Sequence, residues 1–151
     1  MCVRTYKIDV MDRPLSRDEC NCFALRQAAR YVTQLYERHL GQVGVTPAQF
    51  TILSKLSRRP NLTMIELADE MVMDRTTLVR ALKPLQRDGL VSAESAEHDA
   101  RTHVFCLTKR GERLFGEAVH AWRAAQEEFE QKFGHARAKA LRTELFSLTA
   151  A

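Results

Sequence analysis

Basic and hydroxyl-bearing side chains recur at helical spacing between Asp74 and Asp88. The outward positions of this stretch are Arg75, Thr76, Thr77, Arg80, Lys83 and Arg87. Successive members of the set Thr76, Arg80, Lys83 and Arg87 are three or four residues apart, so these four would share one face of an α-helix. Arginine can donate to guanine edges and a threonine methyl group can contact thymine, while hydroxyl groups and a helix N-terminus suit phosphate oxygens. The pattern favours a helix that reads DNA, with a solvated polar face as the alternative.

A charged hairpin is predicted shortly after this helix. Residues 90–95 and 102–107 have the composition of two short strands, and a polar connection at residues 96–102 joins them. Asp99 and Arg101 would lie near its tip, beside His98 and His103. An arginine at a hairpin tip fits a narrow minor groove, and an aspartate two residues away could orient its guanidinium group. The alternative is a surface ion pair of little energetic value.

Capping residues and apolar spacing define the helices that would position these two motifs. Thr63 with Glu66 three residues later is a capping box, and Pro84 is expected to distort its helix locally without breaking it. Leu78, Leu82 and Leu85, with Val79 alongside, would form the buried face of the basic helix. Helix N-caps are predicted at Ser16, Thr46, Thr63, Asp74 and Thr108. The order is five or six helices with one hairpin.

Length and composition are those of one globular domain. The chain has 151 residues, of which 45% are hydrophobic and 28% charged. A net charge of +4 is a mild indication of a polyanionic partner. Residues 1–16 lack periodicity and are expected to be a flexible arm, with no signal peptide. No apolar run is long enough to span a membrane, and none of the four cysteines has zinc spacing, so we expect a cytoplasmic protein with reduced thiols and no cofactor or metal.

From about residue 19 to residue 148 the sequence resembles the MarR-type winged-helix transcriptional regulators. The resemblance is carried by residues 74–91 with their Lys83-Pro84-Leu85 triplet, by Asp99-Ala100-Arg101, and by the Leu-Thr-Lys-Arg-Gly run at residues 107–111. It implies a mainly α fold with a small β-hairpin wing. The winged helix-turn-helix DNA-binding lobe would comprise residues 45–109. The N- and C-terminal helices, residues 17–44 and 110–151, would form the dimerisation region.

The expected function is that of a homodimeric, sequence-specific repressor of double-stranded DNA. A two-fold dimer would place two recognition helices in successive major grooves, about 10 base pairs apart, on a pseudo-palindromic operator. The apolar stripes of helices 17–41, 112–133 and 136–149 exceed what one small lobe needs to bury. The resemblance further implies a small aromatic acid as effector, for which Arg26, Arg30, Tyr31 and His39 could supply polar contacts.

Oxidation at Cys22 is the alternative control. Residues 22–25 resemble the segment that carries the peroxide-reactive cysteine in the organic-hydroperoxide-sensing branch of the family, and Tyr36 stands where that branch keeps a phenol. Two further phenols of that branch are replaced here by Arg26 and Pro47. Arg26 or Arg30 could still stabilise a thiolate. A buried thiol that acts as a small apolar group is the competing interpretation.

Two other classes of function are less well supported by the sequence. A nonspecific DNA-binding or protein-interaction module could use the same winged helix. An enzyme is not expected, because no nucleophile elbow, phosphate loop, metal cluster or paired catalytic carboxylates can be identified.

Overall fold

The computed structural model describes residues 19–96 and 99–150. Within these residues six α-helices and three strands follow one another: α1 (Asn21–Leu40), a 3-10 turn (Gly41–Val43), α2 (Pro47–Arg58), β1 (Leu62–Thr63), α3 (Met64–Met71), α4 (Arg75–Arg87), β2 (Val91–Ala96), β3 (Asp99–Leu107), α5 (Lys109–Phe133) and α6 (His135–Ser147). The predicted fold class, mainly α with a small β wing, is confirmed. The predicted N-terminal arm, residues 1–16, lies outside the described residues. No helix in the described part of the chain is long and apolar enough to cross a membrane.

Four of the five predicted N-caps are confirmed. Thr46, Thr63, Asp74 and Thr108 each accept a hydrogen bond from a backbone N–H three residues ahead, and Thr46 and Thr63 complete capping boxes with Gln49 and Glu66. The predicted start of the first helix at residue 17 is wrong. α1 begins at Asn21, and the Sγ of Cys20 accepts from the backbone N–H of Phe23 at 3.4 Å. Ser16 lies outside the described residues.

The wing is part of a three-stranded antiparallel sheet in the order β1-β3-β2. Val91 lies opposite Leu107 in the long pair, and Leu62 lies opposite Phe105 in the short one. The predicted connection at residues 96–102 is too long. β2 continues to Ala96 and β3 begins at Asp99, so Asp99 and Arg101 belong to the strand itself. The pairing is irregular between Ser95 and Ala96, which are the last two residues of β2.

Leucines from α2, α3 and α4 form the core beneath the sheet. Leu78, Leu82 and Leu85 are buried, as predicted, and α4 runs through Pro84 without interruption. The predicted place of Val79 alongside them is wrong, because 43% of this residue is exposed. Phe105 on β3 closes the core from the wing side.

The segment that follows α4 packs closely against the start of α5, at a junction formed by Gly89, Leu90, Thr108 and Gly111. The hydroxyl group of Thr108 donates to the carbonyl oxygen of Gly89 at 2.7 Å and accepts from the backbone N–H of Gly111 at 3.0 Å. The backbone N–H of Thr108 donates to the carbonyl oxygen of Leu90 at 3.1 Å. A Cβ atom on Gly111 would lie 2.0 Å from that same Leu90 oxygen, so only glycine allows this approach.

Candidate nucleic-acid interface

The N-terminus of α4 is built around Asp74. Its carboxylate accepts the backbone N–H of Thr77 at 2.9 Å and the Thr77 hydroxyl group at 2.6 Å. These hydrogen bonds, the one from the hydroxyl group first, hold the pKa of Asp74 below its usual range. The proton of the Thr77 hydroxyl group is therefore already used within the helix cap. Thr77 was predicted as a DNA contact, and in this position it can only accept from a further donor.

The outward face of α4 presents three cations that lack counter-ions among the described residues. Arg75, Arg80 and Lys83 are exposed, and none of them forms an ion pair within the part of the chain that the structure describes. Thr76 lies exposed among them, one turn before Arg80. An unpaired cationic face is free to bind phosphate groups or base edges without first breaking an ion pair.

Arg87, at the last turn of α4, is arranged differently. Its Nε donates to Asp88 Oδ1 at 2.9 Å and its Nη2 to Asp88 Oδ2 at 3.3 Å. The Arg87 hydrogen bond lowers the pKa of Asp88, and the same bond raises the pKa of Arg87. A negative charge beside this guanidinium group weakens its attraction for a phosphate group. Of the four predicted basic contacts on α4, Arg87 is therefore the least favourable.

The wing places Asp99 and Arg101 two positions apart on β3. Arg101 is exposed. The side chain of Asp99 lies outside the described residues, and its orienting contact with Arg101 stays a prediction.

The turn of the helix-turn-helix contains a feature that the sequence did not reveal. Val72, between α3 and α4, has φ 51° and ψ 45°, in the left-handed region, and its backbone N–H donates to the carbonyl oxygens of Ala68 and Asp69. A β-branched residue is rare in this conformation. The hydrogen bonds that end α3 therefore come at the cost of local backbone strain.

Tyr36 does not lie near the other predicted effector residues within one protomer. Cys22, Arg26 and Arg30 lie on the first half of α1, where all residues from 21 to 31 are exposed. Tyr36 is half-buried on the second half, and its hydroxyl group donates to Gln126 Oε1 on α5. Burial raises the pKa of Tyr36. Fourteen residues of helix at about 1.5 Å each separate Cys22 from Tyr36 by roughly 21 Å. Within one chain this phenol cannot bond the thiolate.

Two carboxylates on α5 tie the neighbouring helices to it. Glu128 accepts from Arg38 at 2.7 Å, from Lys132 at 2.6 Å, and lies 2.7 Å from His39 Nε2. His39, a predicted ligand contact, is thus already bonded. Hydrogen bonds from Lys132 and then His39 lower the pKa of Glu128 to about 2.

Glu130 makes the corresponding tie to α6. It lies 2.8 Å from His135 Nδ1 and accepts from Arg142 and Gln126 at 2.7 Å each. Hydrogen bonds from His135, then Arg142 and Gln126, lower the pKa of Glu130 to about 2. Because Gln126 also accepts from Tyr36, one chain of hydrogen bonds runs from α1 through α5 to α6.

A small aromatic cleft between α2 and α5 was not anticipated from the sequence. The ring of Phe50 lies 5.5 Å from that of Phe115 and stacks on Trp122 at 5.9 Å. The cleft has a volume of about 190 Å³ and is lined by Phe50, Ser54, Arg58, Phe115, Val119, Trp122 and Arg123. Arg58 and Arg123 have no ion pair among the described residues. Rings with adjacent unpaired guanidinium groups form a suitable environment for an aromatic anion.

Comparisons with known proteins agree with this architecture. A family model described as MarR family matches residues 43–102. The organic hydroperoxide resistance transcriptional regulator of Bacillus subtilis (strain 168) is 30% identical over 98 residues, which are 65% of this chain and 67% of that protein. The structure of the M. tuberculosis transcriptional regulator MosR in complex with DNA is 37% identical, with a TM-score of 0.77, over 87% of this chain and 94% of that one.

A third likeness concerns the fold alone. The transcriptional repressor CouR, bound to a 23-mer DNA duplex, superimposes with a TM-score of 0.80 at 24% identity, over 90% of this chain and 99% of that one. The order of helices and wing, the family match and the identity to the B. subtilis regulator agree with one another. The chain belongs to the MarR family of transcriptional regulators.

Proposed function

We propose that the chain acts as a homodimer that binds a pseudo-palindromic site in double-stranded DNA and represses transcription there. The observation that carries this proposal is the exposed face of α4, on which Arg75, Arg80 and Lys83 lack counter-ions among the described residues. The 13 residues of α4 extend for roughly 20 Å. An α-helix with its side chains is about 10–12 Å in diameter, so α4 fits the major groove, which is about 12 Å wide.

The roles of the individual residues follow from their places on α4 and the wing. Arg75, Thr76 and Arg80, on the first half of α4, would reach base edges, while Lys83 and Arg87 would contact phosphate groups. Thr77 would mainly fix the helix cap. Arg101, oriented by Asp99, would enter the adjacent minor groove.

The dimer is supported by apolar surface on α1 and α6. The exposed large apolar residues of these helices and the segment after α6 are Phe23, Leu25, Tyr31, Leu141, Leu145, Phe146 and Leu148. A second copy of the chain would cover this surface. Residues 17–44 and 110–151 would then form the dimerisation region, and residues 45–109 the DNA-binding lobe.

Release from DNA would follow the binding of a small aromatic acid. The cleft beside Phe50 and Trp122 supplies stacking surfaces, and Arg58 and Arg123 supply charge for a carboxylate. It suits such a ligand better than the predicted set of Cys22, Arg26, Arg30 and Tyr36, because Tyr36 lies far from the other three in one protomer. The effector would favour a dimer with poorly spaced recognition helices, and a coupling of about 1–3 kcal/mol between two such sites is typical.

Arg80→Ala tests DNA recognition, with Arg113→Ala as a matched control. Both arginines are exposed, and neither has an ion pair among the described residues, but Arg113 is on α5. Gel shifts on the promoter region and on random DNA, each at two salt concentrations, should show a larger loss of specific than nonspecific binding for Arg80→Ala. Arg113→Ala should bind both nearly as the wild type does. Equal losses on both DNAs would make Arg80 a phosphate contact only.

The competing functions give different outcomes in the same assays. If the wild type showed no preference for any promoter over random DNA, the nonspecific or protein-interaction module would be favoured. Oxidation sensing at Cys22 could not use Tyr36 of the same chain, which is too distant, and would depend on Arg26 or Arg30 to stabilise the thiolate. Release of DNA by an organic peroxide, abolished by Cys22→Ser, would support it. Release that survives Cys22→Ser would end it, and an aromatic acid that raises the unfolding temperature would favour the cleft.

A further inference from the structure

Val79 is an apolar residue between Arg75 and Lys83 on the exposed side of α4. It lies one turn after Arg75 and one turn before Lys83, with Thr76 three residues behind it. Its exposure of 43% contrasts with at most 1% for Leu78, Leu82 and Leu85 of the same helix. Val79 therefore points away from the core, toward the side from which the cations extend.

Neither core packing nor helix stability accounts for a valine at this position. Val79 belongs neither to the core cluster nor to the partly buried apolar residues that pack against it, whereas its neighbour Ala81 does. Valine also has a lower helix propensity than alanine, since its branched Cβ restricts rotation within a helix. A single exposed apolar residue is common on protein surfaces. What distinguishes Val79 is that it is enclosed by groups suited to DNA.

The major groove offers one apolar group to such a residue. Among the four bases, only thymine presents a methyl group there, at C5, and apolar side chains recognise it by contact. Guanidinium and ammonium groups on either side would hold α4 against the phosphates and base edges. The isopropyl group of Val79 would then be pressed against the floor of the groove between them.

We propose that Val79 is a specificity-determining residue that contacts the C5 methyl group of one thymine in each half-site. This inference rests on the proposed DNA-binding function and deepens it. It assigns a thymine to the base pair beneath the centre of α4, between those read by Arg75 and Arg80. The contact adds affinity through removal of two apolar surfaces from water, so it distinguishes thymine from uracil as well as from cytosine.

The test replaces thymine by deoxyuridine, which differs only by the missing methyl group. The full chain is first used to select preferred duplexes from a random library, and each thymine of the selected site is then replaced in turn. Wild-type protein should lose about fourfold in affinity at one thymine per half-site, as expected for one methyl group at about 0.8 kcal/mol. Replacement in both half-sites should multiply the two losses. Val79→Ala should bind the thymine and uracil duplexes equally.

Ile65→Ala serves as the matched control. Ile65 is also a β-branched apolar residue of the lobe, 73% exposed, but it lies on α3. Its variant should keep the wild-type loss on uracil DNA. The inference is overturned if Val79→Ala keeps the same loss, or if no thymine of the selected site is sensitive. Failure to select any sequence would instead overturn the proposed function, and the role of Val79 with it. Circular dichroism should show Val79→Ala to be as helical as the wild type.

Discussion

The winged helix-turn-helix lobe and the region formed by α1, α5 and α6 bury apolar surface in different ways. Within the described residues, every member of the main core cluster except Leu40 and Ala118 lies between residues 45 and 109. Outside that cluster, the buried apolar residues of the helical region are Leu35, Ala125 and Ala138, of which only Leu35 is large. Most of the large apolar side chains that are exposed among the described residues belong to this region.

Polar contacts add to the few buried side chains of the helical region. Glu128 joins α5 to the end of α1, and Glu130 joins it to α6. The lobe has a core that one chain completes by itself. The helices α1, α5 and α6 are joined by hydrogen bonds and ion pairs but bury few large apolar side chains. This arrangement is expected of a surface that becomes buried against a second chain.

Matched leucine substitutions in the two regions give the largest expected difference. Leu82→Ala removes a side chain that is 1% exposed from the core of the lobe. We expect a loss of about 2–5 kcal/mol in the free energy of unfolding, independent of protein concentration. Leu145→Ala on α6 affects a residue that is 36% exposed, and its effect should instead depend on protein concentration. Urea denaturation of both variants at two protein concentrations measures this, and equal behaviour would remove the distinction between the regions.

Gly111→Ala tests the junction through which the two regions meet. The added Cβ atom would lie 2.0 Å from the carbonyl oxygen of Leu90, so the start of α5 must move away from the end of α4. Overpacking of this kind costs about 1–3 kcal/mol. Gly116→Ala is the control, because nothing beyond its chain neighbours and its own helix backbone lies within 4 Å of the corresponding Cβ position. Thermal unfolding should show a lower midpoint for the first variant only, and a stable Gly111→Ala protein would show that the junction can yield.

Loss of a helix cap should have a smaller effect. Thr46→Ala removes the hydroxyl group that accepts the backbone N–H of Gln49, with an expected cost of about 1 kcal/mol. Thr51→Ala on the same helix removes a hydroxyl group that donates only to the carbonyl oxygen of Pro47, which is already bonded in the helix ladder. Its cost should be close to zero. Denaturant titration separates the two, and equal costs would mean that the cap at Thr46 contributes nothing of its own.

Features that depend on neighbours in sequence could be predicted, because capping and periodicity act over three or four residues. Thr46, Thr63, Asp74 and Thr108 each needed only the residues of the following turn. β1 could not be predicted in this way. It has two residues, and Leu62 becomes part of a strand only because Phe105, far along the chain, pairs with it.

The same distinction between local and long-range features applies to the candidate site. The basic face of α4 follows from helical spacing, since its members are close in sequence. The aromatic cleft needs Phe50 and Trp122 to meet across 72 residues, which no local pattern indicates. Val79 shows a different limit. Residue type groups it with Leu78 and Leu82, and only its exposure separates it from them.

Acid should weaken the helical region through its two carboxylate ties, and this is the smallest effect we expect. The pKa of Glu128 and that of Glu130 are each lowered to about 2 from the ordinary value of 4.5. A carboxyl group with a lowered pKa in the folded state stabilises fully above its unfolded pKa, and this stabilisation is lost as the pH falls toward the folded pKa. The relevant window therefore runs from about pH 4.5 down to about pH 2.

Glu128→Gln combined with Glu130→Gln should flatten the decline of the unfolding temperature in that window. Both side chains are partly exposed, so the change is expected to be modest and to shrink as salt is added. Glu144→Gln, an exposed residue of α6 without an ion pair among the described residues, should leave the wild-type decline unchanged. If the double variant declined as steeply as the wild type, the ties would contribute nothing measurable. The few buried side chains of α1, α5 and α6 would then suffice to hold these helices in one chain.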